Sequence, residues 1–284
     1  MQTLDSIAQL RRALEGQNSV ALVPTMGNLH AGHLDLVKLA KQQAECVVVS
    51  IFVNPLQFGA NEDLANYPRT LAADCEKLQA AGADIVFVPS VAEMYPDFDG
   101  QDLKQSITVQ LPAVANDLCG ASRPGHFAGV ATVVLKLFNL VQPQVAVFGK
   151  KDYQQLFIIR EMVKQLNLAI TILAADTVRE PSGLAMSSRN GYLSSAEKAQ
   201  ACQLRAELVS VSEQIKQQGD RANFSSLEQA AALNLQQQGW QVDYVAIRAA
   251  SNLQAASAGD TDLVVLAAAK LGTTRLIDNL SLKI

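Results

Sequence analysis

Histidine is scarce in this 284-residue chain: there are three, alongside four cysteines and one tryptophan. The cysteines, Cys46, Cys75, Cys119 and Cys202, stand far apart and form no C-x-x-C pair. With so few imidazoles this argues against a zinc site of ordinary spacing, and each thiol reads as buried and inert, the usage of a reducing cytoplasm. No apolar run approaches the ~18–20 residues of a membrane span; the densest, Val47 to Val53, is interrupted by Ser50. The first residues, Met1-Gln2-Thr3-Leu4-Asp5, lack the basic and apolar regions of a signal peptide. Charge is sparse as well. Residues 179–284 carry 10 basic and 10 acidic side chains, which leaves 13 of the chain's 23 basic and 17 of its 27 acidic ones in residues 1–178. Nowhere do Lys and Arg cluster as a nucleic-acid backbone requires, so neither a nucleic acid nor a membrane is an expected partner. What the chain does have is core-forming material. It is 49% hydrophobic and 18% charged, against the composition of disordered chains, and long enough for one large domain or two modest ones.

Short β-branched runs at Val20–Val23, Val47–Val53, Ile85–Val88, Val145–Phe148 and Ala169–Leu173 alternate with amphipathic segments near 33–44, 70–81, 128–141 and 152–166. Apolar strands alternating with helices predict βαβ units around a parallel sheet. Ligands of such sheets bind beyond the carboxyl ends of the strands, often at a helix N-terminus. The texture changes after Val178. Arg179-Glu-Pro-Ser-Gly183 is turn-rich, and a polar helix runs from Ser194 (its N-cap, with Glu197 at the capping-box position) to about Gln218. A second helix over 225–238 precedes strands at Val242–Ile247, Leu263–Ala267 and Arg275–Ile277. The fold class expected is α/β: a parallel-sheet domain over 1–178 and a smaller α+β C-terminal domain over 179–284, hinged near 177–184.

The first strand ends in Pro24-Thr25-Met26-Gly27-Asn28-Leu29-His30-Ala31-Gly32-His33, and a helix follows. His30 and His33, three apart, share one face of a helical first turn. Gly32 lets a ligand approach the backbone, and the turn's unpaired N–H groups and the helix dipole are expected to add to the same field. Together these would cradle a polyphosphate without a Walker-A loop. The alternative is a pair of surface or capping histidines. Two of only three histidines at one strand–Gly–helix junction favour the cradle.

His30-Ala31-Gly32-His33 matches the H-x-G-H signature of nucleotidylyltransferases and class I aminoacyl-tRNA synthetases. More specific segments follow in order: Phe52-Val53-Asn54-Pro55-Leu56-Gln57-Phe58, Tyr67-Pro68-Arg69-Thr70, Arg123-Pro124-Gly125-His126-Phe127, Gly149-Lys150-Lys151-Asp152-Tyr153-Gln154-Gln155, Met186-Ser187-Ser188-Arg189-Asn190, and Leu271-Gly272-Thr273-Thr274-Arg275-Leu276-Ile277-Asp278-Asn279. From near the start of the chain almost to its end, this series resembles the pantothenate synthetase (pantoate–β-alanine ligase) family. The resemblance implies a Rossmann-like nucleotide-binding first domain with the second closing over the site. It implies ATP-dependent condensation of (R)-pantoate with β-alanine through a pantoyl adenylate, releasing pyrophosphate and AMP, on the route from pantothenate to coenzyme A. It also implies Mg²⁺ carried with ATP, a homodimer and a cytoplasmic enzyme.

Carried over residue by residue, the resemblance makes His33 and His30 catalytic. It gives ATP the residues Met26, Gly27, Asn28, Leu29, His30, Ala31, Gly32 and His33, then Gly149, Lys150, Lys151 and Asp152, then Val178 on the adenine side and Met186, Ser187, Ser188 and Arg189. The last four resemble the mobile K-M-S-K-S loop of the related synthetases, and two hydroxyls with a guanidinium suit phosphate oxygens. Gln57 and Gln155 fall to pantoate, with Gln57 also near β-alanine; neutral amides can orient a carboxylate that must stay nucleophilic. Lys151 reads as a strand-to-helix cation that meets phosphates, with Gln155 at i+4 on the same helical face. Arg123 and His126 are placed near the subunit interface and the site mouth, with packing an equal alternative. No protein ligands are expected for the metal. Two positions depart from the family pattern: Lys150 stands where Glu is usual, and Cys119 where an acidic residue is common. The rivals are an H-x-G-H nucleotidylyltransferase with a phosphorylated substrate, which should show a basic pocket, and a tRNA-binding remnant of a synthetase.

Overall fold

The computed structural model describes residues 1–59 and 64–284, with the backbone alone at Asp220. In chain order the elements are β1 (Gln2–Leu4), α1 (Ile7–Leu14), β2 (Val20–Thr25), α2 (Ala31–Lys41), β3 (Cys46–Ile51), α3 (Leu71–Ala81), β4 (Ile85–Phe87), α4 (Val91–Met94), α5 (Cys119–Ser122), α6 (His126–Val141), β5 (Val145–Gly149), α7 (Tyr153–Gln165), β6 (Thr171–Ala175), α8 (Ser195–Gln218), α9 (Phe224–Gln237), β7 (Gln241–Ala249), β8 (Asp262–Leu271) and β9 (Thr274–Lys283). Single 3-10 turns occupy Pro55–Gln57, Lys150–Asp152 and Ser188–Tyr192. The expected α/β class is borne out. β1 and α1 lie outside the elements expected, because each writes too little pattern: β1 has no fully buried residue, and α1 buries only Leu10 completely.

The first sheet has six strands in the order β1-β4-β3-β2-β5-β6, every pair parallel. Both of its faces are covered, which is why its strands read as continuous apolar runs. Val20, Leu22, Cys46 and Val48 pack with residues of α1, α6 and α7, while Ala21, Val23, Val47 and Val49 pack with α2 and α3. The chain builds outward from β2 through β3 to β4, then crosses back to place β5 on the other side of β2. That reversal makes the ends of β2 and β5 the switch point where open α/β sheets bind ligands. Ala21 pairs with Val145, so Thr25 and Gly149, each four residues further on, end their strands level.

The second sheet is antiparallel, β7-β8-β9. Leu204, Leu208, Val211 and Ile215 recur at the spacing of one helical face on α8 and pack with Leu227, Ala231 and Leu235 of α9 against it. The Ser194–Glu197 capping box forms as expected. Backbone proximity divides the chain into two units, residues 1–115, 123–150 and 155–176 in one, and 116–122, 151–154 and 177–284 in the other. The division after Asp176 falls at the start of the turn-rich segment. The excursions 116–122 and 151–154 are not foreseen by a single boundary, because distant hydrogen bonds rather than local pattern recruit them. Among the described residues no helix is long and apolar enough to cross a membrane.

Candidate functional site

At the end of β2 the backbone turns through two left-handed residues, Gly27 (φ 85°) and Asn28 (φ 51°). A Cβ on Gly27 would lie 3.1 Å from Ile51 Cγ2 and 3.3 Å from Asp74 Oδ2, so glycine serves both conformation and space. The expectation that this turn leaves its N–H groups unpaired is corrected by the structure. Gly27 N–H donates to Thr25 Oγ1 (3.3 Å), while Asn28 and Leu29 donate to the two carboxylate oxygens of Asp74 (2.8 Å each). Asp74, fully buried on α3, also accepts from the Thr70 hydroxyl (3.0 Å). The anion that fills this nest is the protein's own. Asp74 is absent from the sequence-derived site; its signal was a carboxylate one turn before Leu78, on the buried stripe of a helix.

His30 and His33 are the N-cap and N3 residues of α2 and form a reciprocal capping box. His30 Nδ1 accepts from Gly32 N–H (3.1 Å), and His33 Nδ1 accepts from His30 N–H (3.3 Å). A neutral imidazole that accepts at Nδ1 carries its proton on Nε2, so both rings are fixed as Nε2–H donors. The rings are neighbours as expected, with centroids 4.1 Å apart. Capping and function are therefore compatible readings: the cap uses one nitrogen of each ring and sets the tautomer of the other. Gly32 and the exposed Ala31 complete this first turn, and Met26 and Leu29 lead into it.

Gln57 closes the 3-10 turn that follows β3 and is gripped on several sides. Arg123 Nη1 meets His126 Nε2 at 2.9 Å; arginine only donates, so that nitrogen accepts and His126 Nδ1 donates to the Gln57 carbonyl (2.8 Å). Arg123 Nη2 donates to the same carbonyl (3.4 Å). The Gln57 amide donates from Nε2 to Met26 Sδ (2.9 Å) and accepts at Oε1 from Asn54 (3.2 Å). Helix α6 reaches this turn at Gly129, where an added Cβ would stand 2.3 Å from the Leu56 carbonyl oxygen and 2.8 Å from Gln57 N. In an ordinary helix interior Gly→Ala is worth about 1 kcal/mol of stabilisation. Here the obstacle is backbone, and overpacking costs about 1–3 kcal/mol, so Gly129→Ala is expected to lower stability in urea unfolding and to reduce activity by moving Gln57. A more stable, fully active variant would contradict this contact.

Gln154 and Gln155 look alike in sequence and differ in the fold. Gln154 is buried, accepting from Cys119 N–H (3.0 Å) and donating to the Asp117 carbonyl (2.8 Å). The Gln155 side chain is half-buried and makes no hydrogen bond to the described residues, which leaves its amide available to a ligand. The α-helix begins at Tyr153, after the 3-10 turn Lys150–Asp152, so the i+4 relation of Lys151 to Gln155 does not run along one helix. Lys150 ion-pairs with the exposed Asp176 (2.6 Å). The cation that departs from the family pattern thus has a counter-charge.

The second unit holds Lys151, Asp152, Val178 and Met186–Arg189. Three side chains of β9 organise it. Asn279 Nδ2 donates to the Lys151 carbonyl (2.8 Å), Asp278 takes a two-pronged pair from Arg179 (2.7 and 2.9 Å), and Arg275 reaches Ser122 Oγ (3.3 Å) and Cys119 Sγ (3.5 Å) while pairing with Asp243. An acidic residue at 119, as the family resemblance leads one to expect, would meet the Arg275 guanidinium directly. Arg179 opens a short hairpin in which Met186 N–H donates to the Val178 carbonyl (3.0 Å). Ser187 caps the turn after it, its hydroxyl accepting from Arg189 N–H (3.2 Å). The fold therefore brings Met26–His33, Gln57, Gly149, Lys150 and Gln155 together in one unit, beyond the carboxyl ends of β2, β3 and β5, and the remaining residues of the sequence-derived site in the other.

Comparison with known proteins gives one answer. The family model for pantoate-beta-alanine ligase matches residues 1–281. The chain is 60% identical to the pantothenate synthetase of Methylobacillus flagellatus over 284 residues, 100% of this chain and 99% of that one. It is also 60% identical to that of Thiobacillus denitrificans over 281 residues, 99% and 96% of the two. Among solved structures, a pantothenate synthetase of Thermus thermophilus superposes with a TM-score of 0.90 at 43% identity, covering 99% of each chain. A Francisella tularensis pantoate-beta-alanine ligase, solved in complex with beta-gamma ATP and beta-alanine, gives 0.79 at 34% identity, covering 99% of this chain and 97% of that one. Sequence and structure agree over the full length, and the chain belongs to the pantoate–β-alanine ligase family.

Proposed function

We propose that this chain joins (R)-pantoate to β-alanine with ATP as the driving substrate, by way of a pantoyl adenylate, as a cytoplasmic homodimer. The observation that carries the reading is the pair of imidazoles locked as Nε2–H donors at the N-terminus of α2, at the switch point of the sheet. The pantoate carboxylate attacks the α-phosphorus of ATP, and the bond to the bridging oxygen breaks as pyrophosphate leaves. The β-alanine amine then attacks the acyl carbon, AMP departs with the bonding pair, and the amine loses a proton. Both reactants of the first step are anionic, so the barrier includes gathering negative charge, which preorganised donors relieve. His33 and His30 serve that purpose, with His33 nearest the role of acid. Met26–His33, Gly149–Asp152, Val178 and Met186–Arg189 are assigned to ATP on the family pattern.

ATP arrives as its Mg²⁺ complex. Mg²⁺ commonly keeps several waters and is held largely by substrate phosphates, and no side chain is assigned to it here. Gln57 and Gln155 hold pantoate, Gln57 also lying near β-alanine. Gln57→Ala and Gln155→Ala are each expected to raise the KM for pantoate about tenfold or more, the scale of one lost hydrogen bond to a charged group, and to leave that for ATP within about twofold. Steady-state titration of each substrate decides it; loss of ATP affinity with pantoate affinity intact would reverse the assignment.

A further inference from the structure

The amide of Gln57 is oriented from a distance by a buried hydroxyl. Tyr95, at the end of α4, has no exposed surface, and its O–H donates to Asn54 Oδ1 (2.5 Å). Asn54, 1% exposed, donates from Nδ2 both to Gln57 Oε1 (3.2 Å) and to the Gly129 carbonyl (3.2 Å). This arrangement has one consistent polarity. Were the Asn54 amide reversed, its oxygen would face two acceptors, the Gln57 oxygen and the Gly129 carbonyl, with no hydrogen between them. The Gly129 carbonyl sets which end of the Asn54 amide faces Gln57, and the Tyr95 O–H satisfies the oxygen at the other end and anchors the side chain there. Asn54 in turn holds the Gln57 oxygen, and the Gln57 NH₂ group is left on the Met26 side, donating to a weak sulfur acceptor.

We propose that Tyr95 is a positioning residue for pantoate, acting through the relay Tyr95 O–H to Asn54 to Gln57 to fix which end of the Gln57 amide the substrate meets. It touches no substrate itself, lying in the core among Phe52 and the residues of α6. Burial pushes its hydroxyl well above the ordinary tyrosine range, so it remains a donor across working pH. Lys136 sits over its ring, 4.9 Å from the centroid, a contact that phenylalanine would retain. The inference rests on the assignment of Gln57 to pantoate made above.

Tyr95→Phe removes one oxygen and keeps the ring. It is expected to raise the KM for pantoate about tenfold and to leave that for ATP within about twofold, the scale of one lost hydrogen bond. The deciding measurement is a double-mutant cycle with Gln57→Ala: in that background Tyr95→Phe should have almost no further effect on the KM for pantoate. An equal effect with and without Gln57, or an equal rise for ATP and pantoate, shows general structural damage and overturns the relay. So does an unchanged KM for pantoate in Tyr95→Phe when Gln57→Ala raises it. If Gln57→Ala itself leaves pantoate binding normal, the substrate assignment fails, and the relay loses its purpose with it.

Discussion

Replacing His33 by alanine is expected to raise the barrier to adenylate formation by about 2–4 kcal/mol, the scale on which one preorganised donor stabilises developing charge. The argument is geometric. His33 Nδ1 is occupied by the His30 N–H, which aligns the ring and fixes its proton on Nε2 before substrate arrives. A donor held in this way needs no reorganisation when negative charge builds on the phosphates. Alanine removes the donor and half of the capping box, and loss of that cap costs about 0.5–1 kcal/mol of stability. Rate and stability therefore separate: a large fall in single-turnover adenylate formation with a small fall in the unfolding midpoint. Near-normal turnover in a folded variant would contradict the central role given to this residue.

Asp278→Ala is expected to destabilise the second unit by about 3 kcal/mol, the cost of removing one partner of a buried pair. Asp278 is 4% exposed and answers the Arg179 guanidinium with both oxygens, and it also accepts from Asn279 N–H (2.8 Å). Arg205 is close enough that burial and then Arg179 pull its protonation down while Asp278 pulls it up. Without the carboxylate, the Arg179 and Arg205 guanidinium groups lose the anion between them, and the strand that holds Lys151 through Asn279 loses its anchor. Trp240, the chain's single tryptophan, is buried in this unit's core, so its fluorescence reports the transition directly. A urea midpoint that barely moves would show that the pair is dispensable. Asp278→Asn, which keeps one acceptor, should fall between the two.

Features written in local pattern were legible in the sequence. The parallel strands showed as β-branched runs because both faces of their sheet are covered, and Ser194 with Glu197 marked the start of α8 at the correct residue. The histidine pair was legible because imidazole is rare here and the spacing places both rings on one turn. What was not legible depends on distance. The carboxylate of Asp74 reaches back 45 and 46 residues to satisfy the turn that leads into those histidines. Asn279 fixes a carbonyl 128 residues earlier, and Arg275 a segment more than 150 residues earlier. Such bonds leave no periodicity. They explain why 116–122 and 151–154 belong with the C-terminal unit and why the N–H groups of the turn after β2 are already taken. The two departures from the family pattern become intelligible in the same way: Lys150 answers Asp176, and Cys119 lies against Arg275 and Tyr244. Membership of the family removes the rival readings as a phosphorylated-substrate nucleotidylyltransferase or a tRNA-binding remnant.

The central claim is that activation of the carboxylate precedes amide formation. A carboxylate is a poor acceptor for an amine because an oxide would have to leave; joined to AMP it has a good leaving group. The mixed anhydride is prone to hydrolysis, which favours a site that excludes water, and the segment 177–184 before Ser187-Ser188-Arg189 is the proposed means of closing it. The direct measurement is exchange of labelled pyrophosphate into ATP with pantoate present and β-alanine omitted. Exchange should proceed, and AMP release in the same mixture should stay slow until β-alanine is added. Exchange that appears only with β-alanine would mean that no enzyme-bound adenylate stands on its own, and the two-step mechanism would have to be given up.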